Sequence, residues 1–400
     1  MSTSPHLSLR LKKGADRRLR TGHLWVYSNE VDIAATPLKT MPVGSEVAVE
    51  DASGKFVAMA TVNPASLICA RLYSREKSRG LDQPLIVSRL QQALQFREAC
   101  FAKPYYRAIF GDSDLLPGLV VDRFGDYLSA QLTTAAMDQR RDVVIAALDE
   151  VFSPKGIVFR NQGPFRQMEG LPEAVEVAAG DVPELVELEE NGVRFLAPVM
   201  TGQKTGWFYD HRINRQQLQE LSKDKTVLDV YSYVGGWGVQ AAVAGAKAVT
   251  CVDVSGDALD LAQQNAELNQ YSGQFSCLQG KANDIMKALI DAGQTFDVVV
   301  LDPPAFIKRK KDQRQGEKAY HQANQLALRL LAPGGILVSA SCSMHLPLQT
   351  LMDVVKTAAA HRQRQLQVFS IGGQGPDHPI HPAIPETNYL KAIFARDIQN

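Results

Sequence analysis

Four aspartates and one cysteine stand where the predicted strands of the C-terminal half end. Asp229 lies in the apolar run TVLDV, Asp253 closes the next run, Asp302 follows FDVVVL and Cys342 follows ILVSAS. Carboxylates accept hydrogen bonds from hydroxyl and ammonium groups, and a thiolate is a nucleophile. Ligands of open α/β sheets bind at the carboxyl ends of the strands. We therefore expect these side chains, with Asp284 shortly after the third strand, to converge on one crevice.

A glycine-containing loop, YSYVGGWG, follows Asp229 and precedes an alanine-rich helix pattern. Its glycines run G-G-x-G and not G-x-G-x-x-G, the spacing that binds a pyrophosphate. Asp229 would repel a diphosphate but suits a ligand with a cationic end, and Asp253 is placed to accept hydrogen bonds from ribose hydroxyls. A nucleoside that carries an amino acid and no phosphates meets both conditions, which points to S-adenosylmethionine. A tight turn with no ligand is the alternative. The loop residues expected at the ligand are Tyr231, Gly235, Gly236 and Gly238.

Alternating strand and helix patterns position these residues. From residue 226 onward, apolar runs typical of buried parallel strands alternate with helix patterns, which predicts a doubly wound α/β sheet. The first part of the chain holds short apolar runs separated by turns and predicts a small β-rich module. Between them, one helix pattern, a hairpin and a second helix predict an α+β region. We place the domain boundaries at residues 1–76, 77–190 and 191–400.

Composition limits the class of protein and its compartment. The chain has 400 residues, no net charge and an apolar fraction of 45%, which is ordinary for a globular protein of two or three domains. No apolar run is long enough to span a membrane, and the basic N-terminus lacks the apolar segment of a secretory signal. The five cysteines form no CxxC pair and His378 and His381 lack partner ligands, so we expect reduced thiols in the cytoplasm and no metal.

Two basic segments interrupt this neutral background. The first lies at the front of the β-rich module, and the second directly follows the DPPAF sequence at residues 302–306. Clustered cations of this kind contact phosphates in nucleic-acid-binding proteins, although either segment alone is also typical of a solvated face. Phe306 could stack on an unstacked base. The residues expected to contact RNA are Lys12, Lys13, Arg17, Arg18, Phe306, Lys308, Arg309, Lys310 and Lys311.

Several motifs together resemble one known family. The segments TGQKTGWFYDHR, DVYSYVGGWGV, FDVVVLDPPAF, SASCS and DHPIHPAIPETNYLK are similar to those of class I S-adenosylmethionine-dependent methyltransferases. Together with LKKGADRRLRTGHLWVYSNEV, which resembles the first strands of PUA-type RNA-binding domains, they cover nearly the whole chain. In that order they resemble the bacterial 23S rRNA cytosine-5 methyltransferases of the large-subunit methyltransferase I type. The resemblance implies a Rossmann-like catalytic domain that binds S-adenosylmethionine and acts on 23S ribosomal RNA.

The resemblance also implies roles for individual residues. Asp229 and the three glycines of the loop would line the methionine part of the cofactor, Asp253 would bind the ribose and Asp284 would meet the adenine. Asp302 would lie beside the transferred methyl group. The residues expected near the cofactor from the preceding segment are Gln203, Lys204 and Tyr209.

Cys342 distinguishes the possible reactions. C5 of cytosine is a poor nucleophile, and addition of a thiolate to C6 makes C5 able to accept a methyl group. Methylation of an amino nitrogen needs no thiol and uses only an Asp-Pro-Pro-aromatic loop. Many RNA cytosine-5 methyltransferases carry a second cysteine in that loop, whereas this chain has Ala305 and Phe306 there. We therefore expect Cys342 to be the nucleophile and Asp302 to contact the cytosine edge or the C5 proton.

Two other functions fit the same sequence. A methyltransferase acting on a purine nitrogen would use the DPPAF loop and would tolerate loss of Cys342. A non-catalytic RNA-binding assembly factor would retain the fold alone, although the aspartates at the strand ends argue against it. The oligomeric state does not follow from the sequence, and a homodimer is kept as one alternative.

Overall fold

The chain forms two compact units. A computed structural model describes residues 7–398, and each unit combines segments that are distant in sequence. The segments of the first unit are residues up to 187, 197–209 and 376–387, and those of the second unit are 188–196, 210–375 and the residues from 388 onward.

The N-terminal part of the first unit is built on a five-stranded sheet in the order β1-β3-β4-β5-β2. Only the β1–β3 pair is parallel, and a short helix, α1, lies between β1 and β2. Apolar side chains from every strand, including Leu9, Val26 and Leu72, form its core. The elements are β1 (Leu7–Arg10), α1 (Asp16–Arg20), β2 (Trp25–Tyr27), β3 (Glu46–Glu50), β4 (Phe56–Val62) and β5 (Ile68–Ser74).

A second five-stranded sheet in the same unit has the order β10-β9-β8-β7-β6. Leu90, Ile109, Leu148 and Phe159 are among the side chains of a core shared by this sheet and its helices. The elements are α2 (Gln83–Cys100), β6 (Tyr105–Phe110), β7 (Leu119–Phe124), β8 (Tyr127–Leu132), α3 (Ala135–Asp138), α4 (Arg141–Phe152), β9 (Gly156–Asn161), α5 (Pro164–Met168) and β10 (Ala174–Gly180).

The second unit is a seven-stranded sheet in the order β15-β14-β13-β16-β17-β19-β18. Its first five strands are parallel, and β19 is antiparallel to both β17 and β18. The hairpin of β11 (Val186–Glu190) and β12 (Val193–Ala197) precedes the strands of this sheet along the chain. The other elements are α6 (Arg212–Leu221), β13 (Thr226–Val230), α7 (Gly238–Val243), β14 (Ala248–Asp253), α8 (Gly256–Leu268), β15 (Gln274–Gln279), α9 (Ala282–Asp291), β16 (Phe296–Leu301), α10 (Gln313–Leu330), β17 (Leu331–Ser341), α11 (Leu348–Ala360), β18 (Gln365–Gly372) and β19 (Lys391–Ile398).

The predicted architecture is confirmed. The chain has a β-rich N-terminal module, an α+β region and a doubly wound α/β sheet, as the strand and helix patterns indicated. The sequence analysis did not predict β6 or β10. In β10 Glu176 interrupts the apolar residues of AVEVAAG, so only short apolar stretches remain on either side of it. No helix within residues 7–398 combines the length and the apolar character needed to cross a membrane.

A buried ion cluster joins the β11–β12 hairpin to α6. Glu190 accepts hydrogen bonds from Arg215 at 2.6 and 3.0 Å and from the Gln240 amide at 2.8 Å. The Arg212 guanidinium lies 3.5 Å from the same carboxylate, and the Glu190 side chain is fully buried. Because buried charges are stable only when paired, this cluster determines where the start of α6 lies in the second unit.

We expect Glu190→Gln to lower the free energy of unfolding by about 3 kcal/mol, because it leaves two buried guanidinium groups without their carboxylate. Urea denaturation followed by circular dichroism measures this. Asp353→Asn is the matched control, since it removes a carboxylate that pairs with Lys356 on an exposed face of α11. That change should alter the free energy of unfolding by less than about 1 kcal/mol. Equal effects of the two substitutions would contradict the prediction.

Candidate active site

Parallel pairing brings the predicted site residues of the second unit to one edge of its sheet. Asp229 lies next to the last residue of β13, and Asp253 is the last residue of β14. Asp302 directly follows β16, and Cys342 directly follows β17. Since neighbouring parallel strands end at the same edge, the loops that follow them surround one region of the unit.

Asp229 is a buried carboxyl group with one oxygen left for a ligand. Its Oδ2 accepts a hydrogen bond from the Gly238 N–H at 2.8 Å. Its Oδ1 is buried and has no hydrogen-bond partner among the residues that the structure describes. Burial raises the pKa of Asp229 to about 7, and the carboxylates of Asp302 and Asp253 act in the same direction. A cationic group beside Oδ1 would favour the ionised form.

The loop between β13 and α7 is a tight turn. Tyr231, Tyr233 and Gly235 all have left-handed backbone angles, with φ of 69°, 51° and 81°. A Cβ on Gly238 would lie 2.7 Å from the Cys251 sulfur, so glycine at that position lets α7 approach β14 closely. Packing within the protein requires glycine at this position, and the expectation that Gly238 also lines the cofactor stays a prediction.

Asp253 and Asp284 differ in how firmly they are held. The two carboxylate oxygens of Asp253 accept hydrogen bonds from the backbone N–H groups of Tyr233 at 2.9 Å and Ser255 at 3.0 Å. Each oxygen keeps a further lone pair for another donor. Asp284 is exposed in the first turn of α9. The preceding residue, Asn283, has a buried side-chain oxygen with no hydrogen-bond partner in residues 7–398, and the sequence analysis did not identify it.

Asp302 is held by two neighbours that sequence spacing did not identify as its partners. The Trp237 indole N–H donates to Oδ2 at 3.0 Å, and His211 Nε2 lies 3.2 Å from Oδ1. Burial alone would raise the pKa of Asp302, but the neighbouring His211 and the Trp237 N–H outweigh it and lower that pKa. Asp302 is therefore a carboxylate near neutral pH, with 21% of its side chain exposed.

Asn214 determines the orientation of His211. The Asn214 amide nitrogen donates to the Gly373 carbonyl at 2.9 Å and lies 3.0 Å from His211 Nδ1. Because an amide nitrogen only donates, His211 Nδ1 is the acceptor and the proton of a neutral His211 is on Nε2, which faces Asp302. The motif TGQKTGWFYDHR contains His211 but does not indicate this pairing.

Cys342 lies between two buried serines that share one partner. The Tyr320 hydroxyl is hydrogen-bonded to Ser341 Oγ at 2.8 Å and to Ser343 Oγ at 2.9 Å. Ser343 Oγ also accepts from the Ile307 N–H at 3.3 Å, which links it to the end of the DPPAF segment. Cys342 itself is half-buried. These contacts hold the cysteine and the loop that begins at Asp302 in one arrangement.

The segment before α6 belongs to the first unit up to Tyr209. The Tyr209 side chain is buried, and its hydroxyl donates to the Arg123 carbonyl at 2.9 Å. Gln203 and Lys204 are exposed, and the Arg160 guanidinium donates to the backbone carbonyl of Lys204 at 2.9 Å. The association of Gln203, Lys204 and Tyr209 with a cofactor stays a prediction.

The residues predicted to contact RNA have different surroundings. Lys13 and Arg17 are exposed, and Lys12, also exposed, donates to the Asn29 carbonyl at 2.9 Å. Arg18 is half-buried and bonded to both oxygens of Glu30 at 2.8 and 2.7 Å, so its charge is already paired within the protein.

The second basic segment is open to solvent. Lys308, Lys310 and Lys311 are exposed, and Arg309 pairs with Asp312 at 3.1 Å. Phe306 is half-buried, with its ring 4.8 Å from that of Tyr320. Among residues 7–398 no group of three or more His, Cys, Asp or Glu is arranged to hold a metal ion.

Comparison with known proteins gives consistent matches along the chain. Residues 9–75 match a PUA-like domain, and residues 165–370 match the S-adenosylmethionine-dependent methyltransferase family. A ribosomal RNA large subunit methyltransferase I from Cronobacter sakazakii is 37% identical over 390 residues, which cover 96% of this chain and 97% of that protein. The protein of the same name from Aliivibrio fischeri is 34% identical over 395 residues, covering 98% of this chain and 99% of that protein.

Solved structures share the fold. A crystal structure described as a methyltransferase complexed with SAH superimposes with a TM-score of 0.84 at 21% identity, covering 98% of this chain and 100% of that one. A methyltransferase structure from Streptococcus mutans gives a TM-score of 0.83 at 20% identity, with the same coverage of both chains. At this level of identity the similarity shows the fold alone.

We expect Ser343→Ala to loosen the end of the DPPAF segment, because it removes the acceptor of the Ile307 N–H. A hydrogen bond is worth about 1 kcal/mol net, so exchange of the Ile307 amide hydrogen should become about five times faster. Hydrogen exchange followed by NMR or mass spectrometry measures this. Ser341→Ala also removes a Tyr320 contact but leaves the Ile307 acceptor, and it should not accelerate exchange there. An equal acceleration in both variants would refute the assignment of this contact.

Proposed function

Because this chain belongs to the ribosomal RNA large subunit methyltransferase I family of S-adenosylmethionine-dependent methyltransferases, we propose that it methylates C5 of a cytosine in 23S ribosomal RNA. The observation that carries the proposal is the position of Cys342. It follows a central strand of the sheet, is half-buried, and is connected through Ser343 to the loop that starts at Asp302. Methylation at a nitrogen atom has no use for a thiol in this place.

The residues at the strand ends fit S-adenosylmethionine. Asp229 Oδ1 is a buried acceptor without a partner in the described part of the chain, which suits the ammonium group of the methionine part. The oxygens of Asp253 are oriented by two backbone N–H groups and suit the ribose hydroxyls. Asp284 and the adjacent buried oxygen of Asn283 are the candidates for the adenine.

Addition of the thiolate begins the proposed reaction. The Cys342 sulfur forms a bond to C6 of the cytosine, and the electron pair of the C5–C6 double bond moves towards C5 while N3 takes up a proton. S-Adenosylmethionine, when bound, supplies an electrophilic methyl group that C5 accepts, with release of S-adenosylhomocysteine. Loss of the C5 proton then restores the double bond, breaks the carbon–sulfur bond and returns the thiolate, and N3 gives up the proton that it took during the addition.

Asp302 is the candidate for contact with the cytosine ring. About a fifth of its side chain is exposed, and its lowered pKa keeps it ionised at neutral pH. A carboxylate with a low pKa is a good hydrogen-bond acceptor and a weak base. This favours contact with the protonated edge of the cytosine over removal of the C5 proton.

The exposed basic residues are proposed to bind the phosphates of the RNA. Lys308, Lys310 and Lys311 follow the Asp302 loop in the second unit, and Lys12, Lys13 and Arg17 lie in the PUA-like domain. Phe306 is the candidate to stack on a base that leaves the helix. A cytoplasmic location is part of the proposal, because ribosomal RNA is the substrate.

The covalent step is tested with RNA that contains 5-fluorocytosine, because fluorine on C5 cannot leave as a proton and the carbon–sulfur bond persists. A 23S rRNA transcript prepared in this way, incubated with protein and S-adenosylmethionine, should yield an adduct that survives denaturing electrophoresis. Cys342→Ala should abolish both the adduct and 5-methylcytosine formation on normal RNA while leaving cofactor binding intact. Cys100→Ala, which removes an exposed cysteine, is the matched control and should form the adduct normally.

Other outcomes of this experiment identify the alternatives. Methylation of a purine nitrogen that continues in Cys342→Ala would overturn the proposal in favour of the purine-nitrogen reaction. Absence of S-adenosylmethionine binding in calorimetry would favour an assembly factor without catalytic activity.

We also expect cofactor binding to release a proton from Asp229. With a pKa of about 7, roughly nine-tenths of Asp229 is protonated at pH 6 in the absence of ligand. An ammonium group beside Asp229 lowers that pKa, so the cofactor binds the ionised carboxylate. The affinity for the cofactor should therefore rise from pH 5 to pH 8, because at higher pH Asp229 has already lost its proton before binding.

Calorimetry with S-adenosylhomocysteine in buffers of different ionisation enthalpy measures this proton. The wild type should release close to one proton at pH 6 and almost none at pH 8.5. Asp229→Asn keeps the side-chain shape and should release none at either pH. The same release from the variant as from the wild type would show that another group supplies the proton.

A further inference from the structure

Lys391 is a buried lysine at the end of the central strands. It is the first residue of β19 and pairs with Ser341, the last residue of β17. Only 9% of its surface is exposed. A lysine is seldom buried without a partner, because its ammonium group loses solvation. Its position therefore calls for a compensating interaction.

The Lys391 ammonium group reaches the residue that follows Cys342. Its Nζ donates to the Ser343 carbonyl at 2.6 Å, so the lysine side chain extends along the backbone from the level of Ser341 to Ser343. Within residues 7–398 no carboxylate lies within ion-pair distance of Lys391. Cys342 lies between these two serines in the chain, next to the carbonyl group that binds this buried cation, and the cation lacks a carboxylate counterion.

The electrostatics of the two side chains are coupled. Burial lowers the pKa of Lys391 to about 8, and a negative charge on Cys342 acts in the opposite direction. At neutral pH most Lys391 side chains therefore carry a proton. A fixed positive charge next to a thiol favours its ionised form, as in other cysteines beside lysine or arginine.

We propose that Lys391 is a positioning residue that stabilises the thiolate of Cys342 and so prepares it to attack the cytosine. The thiol proton leaves to solvent, the ammonium group keeps its own proton, and no bond to Lys391 forms. The inference rests on the proposed role of Cys342 as nucleophile. A nucleophilic cysteine needs such stabilisation, because an ordinary thiol is only a few per cent ionised at pH 7.

Other titratable groups surround the segment. Tyr320 of α10 presents its hydroxyl to Ser341 and Ser343, and burial raises its pKa, so it is neutral when Cys342 ionises. Asp302 follows the neighbouring strand β16 as a carboxylate, and its negative charge opposes thiolate formation. His345 stands in the loop that follows Cys342. Among these groups Lys391 carries a positive charge at neutral pH, and this charge offsets the effect of Asp302 on the ionisation of the Cys342 thiol.

Alkylation of Cys342 by iodoacetamide between pH 5.5 and pH 9.5 tests the inference on the full chain carrying Cys100→Ala, with the modified site identified by mass spectrometry. The apparent pKa of the reaction should lie below the ordinary thiol value of about 8.5. Lys391→Met should raise it by about one unit and slow alkylation at pH 7 by about three- to tenfold. The smaller thiolate fraction alone would slow alkylation about tenfold. The slowing falls towards threefold because a less acidic thiol gives a more nucleophilic thiolate.

The control is Lys391→Arg, which keeps the charge and should keep the apparent pKa low. An unchanged pH profile in Lys391→Met would overturn the inference. An apparent pKa of 8.5 or more for Cys342 in the parent chain would also overturn it. That measurement does not depend on whether a variant at residue 391 folds. Failure of 5-fluorocytosine RNA to trap an adduct, together with the expected shift in Lys391→Met, would reject the proposed reaction and leave the charge interaction standing.

Discussion

Parallel pairing of β13, β14, β16 and β17 is the constraint on which the candidate site depends. Because side chains alternate along each strand and neighbouring strands run in the same direction, their carboxyl ends form one edge from which several loops rise. Asp229, Asp253, Asp302 and Cys342 are separated by up to about a hundred residues in sequence, yet each lies at or next to the carboxyl end of one of these strands. The apolar residues of the same strands form the cores that hold this edge in place.

The two central carboxyl groups have pKa values shifted in opposite directions, because only one of them has partners that stabilise its charge. Asp229 has one N–H donor and an unpartnered oxygen within the described chain, so desolvation dominates and its pKa rises. Asp302 keeps 21% of its side chain exposed, and His211 and Trp237 stabilise its charge, so its pKa falls. Without a ligand, Asp229 therefore gains a proton more readily than an ordinary aspartate, whereas Asp302 stays ionised. Such a division between neighbouring acids is typical of functional sites.

Much of the fold could be predicted because its signals are local. The strands of the α/β sheet are continuous apolar runs, and Asn191-Gly192 marks the β11–β12 hairpin. β10 was missed because Glu176 divides its exposed and half-buried residues into apolar stretches too short to indicate a strand. The close packing of Gly238 against Cys251 was not predicted, because it joins residues of two different elements. The partners of Asp302 and of the serines beside Cys342 were missed for the same reason, since they come from the residues just before α6 and α7, from α10 and from β19.

The sequence by itself determined the class of fold, the family resemblance and the residues at the strand ends, because these depend on residue type and on spacing within single elements. Only the tertiary structure decided which of these residues carry charge and what orients them. His211 meets Asp302 across about ninety residues, and Lys391 reaches the Ser343 carbonyl because β19 lies antiparallel beside β17. No local pattern encodes such pairs, since their energies arise from burial and from distances that exist only once the sheet has formed.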